Sequence, residues 1–135
     1  MTTLVDTSVW SLALRREASV DTPPVRALAA LIDAGEAELI GPIRQELLNG
    51  IRESRQFRAL RSHLREFRDL RIGSDDFELA AEFHNRCARA GIEGSNTDFL
   101  ICAVAVRRRL PILTLDRDFD RFRQVLPIKL HEARS

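Results

Sequence analysis

Residues 2–10 read TTLVDTSVW. A short strand-like run meets Asp6, and Thr7 and Ser8, both good helix starters, follow at once. A strand that turns into a helix within ten residues is how a βαβ chain opens. The same reading leaves a carboxylate at the end of a strand that looks buried. Two explanations are open at this point. Asp6 caps the coming helix, a common role for aspartate, or it belongs to something built at the strand end.

Outward from that stretch the alternation continues. The segment VRALAALIDAG (25–35) reads as a helix stopped by Gly35, and EAELI (36–40) as the next strand. Pro42 suits the first turn of a helix through IRQELLNGI (43–51). Between Gln56 and Leu70, the residues Phe57, Leu60, Leu64 and Phe67 recur at three, four and three, which predicts one helical face. LRIG (70–73) fits a brief third strand, and Ser74 or Asp75 caps a helix ending near Gly91. A helix over 96–109, a strand at PILTL (111–115) and a short one at PIKLHE (127–132) complete the pattern. Strands joined by helices call for a parallel sheet covered on both faces, hence an α/β fold with residues 1–135 as one domain. Sites in such folds lie outside the carboxyl ends of the strands.

Composition narrows the class. With 44% hydrophobic and 30% charged residues over 135, the chain is that of a globular protein, and no apolar run approaches a membrane span. MTTLVD has neither the basic stretch nor the apolar region of a signal peptide, so a cytoplasmic location is expected. Cys87 and Cys102 stand alone on apolar helical segments, as reduced core thiols do. The net charge of +1 does not point to nucleic acid. Its placement says more: residues 44–71 hold eight arginines against four acids. Arg61, Arg65 and Arg68 fall at four and three on the side opposite the Leu60–Leu64–Phe67 stripe. That row either follows an RNA backbone or solvates a helix.

The acids carry the chemistry. Asp6 and Asp116 each end a predicted strand in the same sense, so both project beyond one sheet edge. Glu46 borders the buried stripe of Ile43, Leu47 and Ile51, and it is either an inert surface acid or part of a site. Asp98 opens DFLICAVAV, a helix apolar nearly all round and therefore packed deep. Asn96 or Thr97 can cap that helix, which leaves Asp98 free to point elsewhere. Several carboxylates in one cleft stay ionised only if a cation joins them. The economical one is a hard divalent ion with oxygen ligands, Mg²⁺ or Mn²⁺, suited to phosphoryl chemistry.

LVDTSVW, PIRQELLNGI, NTDFLICAVA and ILTLDRDF, in this order and at this spacing, resemble the PIN-domain nucleases, and specifically the VapC toxins of toxin–antitoxin pairs. The resemblance covers essentially the whole chain. It implies an α/β/α sandwich around a parallel sheet, with an acidic Mg²⁺ site that cleaves RNA. Asp6, Glu46, Asp98 and Asp116 match the family's acids. Asp118, two residues after Asp116, is the rival for the fourth place, and Asp116 is preferred because it ends the strand. Ser8 and Thr114 match hydroxyls near the metal or phosphate. The resemblance further implies a VapB-type antitoxin, a homodimer, and a heterotetramer or larger assembly with that partner. The apolar face of the 56–70 helix is one surface for the dimer. The reading from another class is a non-catalytic RNA- or protein-binding module on the same fold.

Overall fold

Thr3, Leu4 and Val5 are wholly buried, and the strand they form, β1 (Thr3–Val5), is the centre of the molecule. A computed structural model describes residues 1–14 and 21–132. An unbroken buried run suits the middle of a parallel sheet, where helices cover both faces. β1 pairs in parallel with β2 (Ala37–Glu38) on one side and β3 (Ile112–Leu113) on the other. Single parallel bridges, Leu39 with Asp69 and Ile112 with Leu130, extend the sheet at both edges. The order from edge to edge is therefore Asp69, β2, β1, β3, Leu130. The chain moves outward from β1 on one side, then crosses to the other, so β1 and β3 flank the point where the direction switches. In open α/β sheets that crevice is where ligands bind.

The helices are α1 (Thr7–Leu14), α2 (Pro23–Asp33), α3 (Gly41–Leu48), α4 (Ser54–Leu64), α5 (Ser74–Arg89), α6 (Asn96–Arg108) and α7 (Asp118–Arg123). With the sheet they form the α/β/α sandwich that the alternation predicts. Phe99 to Ala105 of α6 are all buried, which accounts for a helix apolar on every side. Trp10 fastens α1 to β1, its Nε1–H donating to the Val5 carbonyl (3.0 Å). Cys87 and Cys102 are free and buried, the core thiols expected. Among the described residues no helix is long and apolar enough to cross a membrane.

Several expectations need correction. The helix predicted over 56–70 begins at Ser54, with Glu53 accepting from the N–H groups of Arg55 and Gln56, and ends at Leu64. Arg44 of α3 stops it: its guanidinium donates to the carbonyls of Leu64 (2.8 Å) and Phe67 (2.7 Å) and to Asp69 Oδ1 (2.9 Å). Carbonyls left orphaned at a helix end are thus taken by a side chain from another element. Phe67 keeps the helical spacing but packs edge-on against Trp10 from a turn (5.0 Å between centroids). Leu60 and Leu64 lie in the core, so the face offered above for a dimer is buried within its own domain.

The third strand is a bridge at Asp69 rather than LRIG, and Gly73, not Ser74 or Asp75, occupies the cap of α5. PILTL pairs only at Ile112 and Leu113, because the backbone beyond Leu113 is engaged by the side chains described below. Asp116 therefore sits in a turn entering α7, a helix that the strand-and-helix pattern missed. PIKLHE likewise contributes a bridge at Leu130.

Asp76, almost fully buried at the start of α5, ties this helix to the end of α6. It accepts from Arg107 (2.8 Å), Arg108 (2.9 Å) and the Gly73 N–H (2.9 Å). Burial acts against its charge. The Arg108 bond, the Gly73 N–H and Arg107 together outweigh that and hold the carboxyl well below the usual carboxylate range. A depressed carboxyl stabilises the fold above its unfolded pKa of ~3.9, and that stabilisation fades as pH falls through the folded value. Asp76→Asn should cost about 2 kcal/mol near neutral pH. The deficit against the parent should shrink below pH ~4, a difference read from urea unfolding across pH.

Candidate active site

The site begins where the β1 ladder ends. Asp6 N–H donates to the Leu113 carbonyl (2.9 Å), the last rung joining β1 to β3. The Asp6 carbonyl then receives the N–H groups of Val9 and Trp10 at the start of α1. Asp6 thus stands at the junction of strand and helix. The capping reading holds for its backbone position, and its side chain does something further. Asp6 is 5% exposed, and one carboxylate oxygen, Oδ2, accepts the hydroxyls of Ser8 (2.8 Å) and Thr114 (2.8 Å).

Those two hydroxyls also organise the loop after β3. Ser8 Oγ accepts from the Leu115 N–H (2.9 Å), and Thr114 Oγ1 from the Asp116 N–H (2.9 Å). Each hydroxyl donates to Asp6 and accepts from the loop, so the loop leaves the sheet to serve the carboxylate. This is why the PILTL strand is shorter than its sequence promises.

The other acids show the same arrangement. Glu46 Oε1 accepts the Thr7 hydroxyl (2.6 Å), Asp98 Oδ2 the Ser95 N–H (3.0 Å), and Asp116 Oδ1 the Asp118 N–H (2.9 Å). Ser95, rather than Asn96 or Thr97, caps α6; its hydroxyl accepts the Asp98 N–H (3.0 Å) in a reciprocal capping box. Asp98 is consequently anchored at one oxygen instead of free. In each of the four acids one oxygen is held by a protein donor. Asp6 is held further by the backbone N–H groups of Thr7 and Ser8.

One carboxylate oxygen from each of Asp98, Asp116 and Asp118 lies within 4.8 Å of the others, a spacing that could hold a metal ion. Asp6 and Glu46 lie outside this tight set. Asp118 also pairs with Arg121 one turn along α7, so it is less available than Asp116. Burial pushes the carboxyl of Asp98 upward, and the charges of Asp6 and Asp116 push the same way against the Ser95 bonds. Burial raises Asp6 as well, against the hydrogen bonds from Thr114, Ser8 and the first backbone N–H groups of α1. Carboxylates in this condition are stabilised by a cation. Hard oxygen donors of one sign fit Mg²⁺ or Mn²⁺ rather than a thiolate- or imidazole-seeking metal.

The arginine row does not survive the end of α4. Arg61 lies on the helix beside Phe57 (5.8 Å to the ring), Arg65 is its C-cap, and Arg68 follows in the turn. Arg68 borders a groove with Gly35 and Ala37, at the amino end of β2, opposite the edge where Asp6 stands. The signal for the Ser95 cap lies in S-N-T-D, where Ser95 stands three residues before Asp98 as a capping box requires.

Removing one repelling charge should stabilise the metal-free protein. Asp98→Asn keeps an oxygen for the Ser95 N–H and loses the penalty for a charge facing Asp6 and Asp116. Its melting temperature should rise by ~3 °C, measured by calorimetry in EDTA. A drop would mean that the repulsion is already neutralised within the protein.

Comparisons with known proteins place the chain in a family. The family model for the PIN domain matches residues 3–125. Ribonuclease VapC11 of Mycobacterium tuberculosis is 31% identical over 119 residues, covering 87% of this chain and 88% of that one. Among solved structures, VapBC2 from Rickettsia felis, bound to a DNA fragment from its promoter, superposes with a TM-score of 0.75 at 16% identity over 97% of this chain and 98% of that one. FitAcB from Neisseria gonorrhoeae does so with a TM-score of 0.73 at 19% identity over 97% of each chain. The acids at the end of β1, on α3, at the start of α6 and after β3 all fall within the matched span. The chain belongs to the PIN-domain family and, within it, to the VapC ribonucleases.

Proposed function

We propose that Asp6, Glu46, Asp98 and Asp116, with Asp118 at the rim, form the centre with which this VapC-family ribonuclease cuts RNA. It acts as a Mg²⁺-dependent endonuclease, with Mn²⁺ as a substitute, and as the toxin of a toxin–antitoxin pair. One observation carries the reading: four acids at one sheet edge are pinned by protein donors, and one carboxylate oxygen from each of Asp98, Asp116 and Asp118 lies within 4.8 Å of the others. Pinning by Ser8, Thr7, Thr114 and backbone N–H groups sets the direction of each carboxylate before anything binds, so little reorganisation remains. A divalent ion held there would activate water and neutralise charge on the scissile phosphate.

The protein's own residues do the rest. Ser8 and Thr114, by donating to Asp6, oppose the upward push that burial exerts on its carboxyl. Thr7 aims Glu46 across from α3. The Ser95 box fixes Asp98 at the positive end of α6, whose dipole favours a carboxylate. Of the three arginines, Arg65 is exposed at the end of α4 and Arg68 in the turn after it, whereas Arg61 is half-buried. Charge reversal at Arg65 should flatten the salt dependence of RNA binding by about one counterion.

Restraint fits the same chemistry. An acidic edge of this kind attracts an Arg or Lys from a partner through charge-assisted hydrogen bonds. We assign that role to a VapB-type antitoxin, acting in the cytoplasm on a VapC homodimer.

Purified protein should cleave single-stranded RNA with Mg²⁺ and stop in EDTA. Asp98→Asn and Asp6→Asn should each lower the rate by ~10³-fold or more while remaining folded. In cells, the wild type expressed alone should arrest growth, Asp6→Asn should relieve the arrest, and the product of the adjacent reading frame should co-purify. Undiminished cleavage by Asp98→Asn would sink the site assignment. RNA binding without cleavage would instead favour a non-catalytic module.

A further inference from the structure

The three carboxylates that come within 4.8 Å of one another belong to two helix starts and the turn before one of them, and those helix starts share an aromatic floor. Asp98 is followed on α6 by Phe99, and Asp118 on α7 by Phe119. Both rings are buried, and Phe122, with no exposed surface, meets each of them. Its ring centroid is 5.1 Å from that of Phe99, tilted by 47°, and 5.2 Å from that of Phe119, edge-on at 75°. Aromatic quadrupoles favour such tilted and edge-on pairs, so the contacts fix distance and angle together. Phe122 is thereby a spacer between the start of α6 and α7.

Gly94 completes the arrangement from the loop between α5 and α6. A Cβ at this position would stand 2.6 Å from Phe122 Cζ, 2.9 Å from Phe122 Cε1 and 3.0 Å from Phe99 Cζ. Carbon atoms in contact prefer about 3.5–4.0 Å, and neither buried ring has open space to retreat into. Gly35, Gly50 and Gly91 take the positive φ that favours glycine, and Gly94 does not. Its requirement is room, not conformation. The next residue is Ser95, whose hydroxyl and N–H hold Asp98 through the capping box. The loop thus rests on Phe122 one residue before the clamp on Asp98.

We propose that Gly94 and Phe122 are positioning residues for the acidic centre. Phe122 sets the separation of α6 and α7, and Gly94 lets the loop lie on that ring, so that Asp98 comes within reach of Asp116 and Asp118. The inference rests on the metal reading above and adds to it the device that sets the ligand spacing. A methyl group at residue 94 has two ways out. Either the loop lifts and carries Ser95 and Asp98 away, or Phe122 tips and turns α7 with Asp118. Both widen the set of three. Small hard ions hold their oxygen ligands at ~2.1 Å in a strict geometry and tolerate little widening.

Mn²⁺ binding to the full-length protein, followed by electron paramagnetic resonance of the free ion, is the test. Gly94→Ala should weaken binding by ~10-fold, and Phe122→Leu should weaken it to a lesser degree. The double variant should bind as Phe122→Leu alone does, because the ring atoms that the new methyl meets are gone. Leu31→Val, a core change on α2, should lower the melting temperature and leave Mn²⁺ binding unchanged. Wild-type affinity in Gly94→Ala overturns the inference. An equal loss in Leu31→Val also overturns it, since general loosening then accounts for the effect. If Gly94→Ala does not fold, Phe122→Leu decides, with weakened binding supporting the inference and wild-type binding overturning it. A wild type that binds no Mn²⁺ removes the metal reading itself. The carboxylate spacing in a metal-free crystal structure of Phe122→Leu then decides the positioning, where a widened set supports it and an unchanged one overturns it.

Discussion

A single buried carboxylate oxygen, Asp6 Oδ2, joins three parts of the chain. The hydroxyls that it accepts come from α1 through Ser8 and from the loop after β3 through Thr114. Both hydroxyls then hold backbone N–H groups of that loop. The loop that carries Asp116 and leads to Asp118 is thereby placed by Asp6, and so is the spacing of three carboxylates within 4.8 Å. A carboxylate this deep is tolerated only because its hydrogen bonds offset much of its desolvation. An amide at this position can still accept on one oxygen, but it brings no charge to the edge.

Bringing like charges together works against the fold, and the compensation lies elsewhere. Arg44 closes the end of α4 and joins it to Asp69 at the sheet edge, which seats α3 and therefore Glu46. Asp76 joins the start of α5 to the end of α6 through two arginines, far along the helix from Asp98. These are structural ion pairs with multiple hydrogen bonds, the kind that repay burial best. In the same chain, then, some carboxylates are held down by arginine and others are left short of a cation. The difference in partners separates Asp69 and Asp76 from the acids of the proposed site more clearly than burial does, since Asp76 and Asp6 are both buried.

Much of the fold was legible because periodicity is a local signal. The runs TTLVD and EAELI, the helix stopped by Gly35 and the fully apolar DFLICAVAV each gave their element without reference to the rest of the chain. The convergence of Asp6 and Asp116 on one edge also followed from parallel strands having their carboxyl ends together. What failed were the ends of elements. The spacing of Phe57, Leu60, Leu64 and Phe67 is equally good for a helix that continues and for one cut short. Only the Arg44 guanidinium, twenty residues away from Leu64, decides between them.

The sequence by itself determined that strands alternate with helices, that the sheet is parallel, and which acids stand near its carboxyl edge, since side-chain type and spacing carry that information. It could not determine how those acids are oriented. Whether PILTL pairs to its end depends on Ser8 reaching Leu115 across 107 positions. Asp118, the rival of Asp116, has one carboxylate oxygen directed to Arg121, a direction that the sequence does not record. These are contacts between residues remote in sequence, or directions of single oxygens, and neither leaves a periodic trace. They were decided by tertiary structure because a hydrogen bond depends on distance and angle in space, which spacing along the chain does not record.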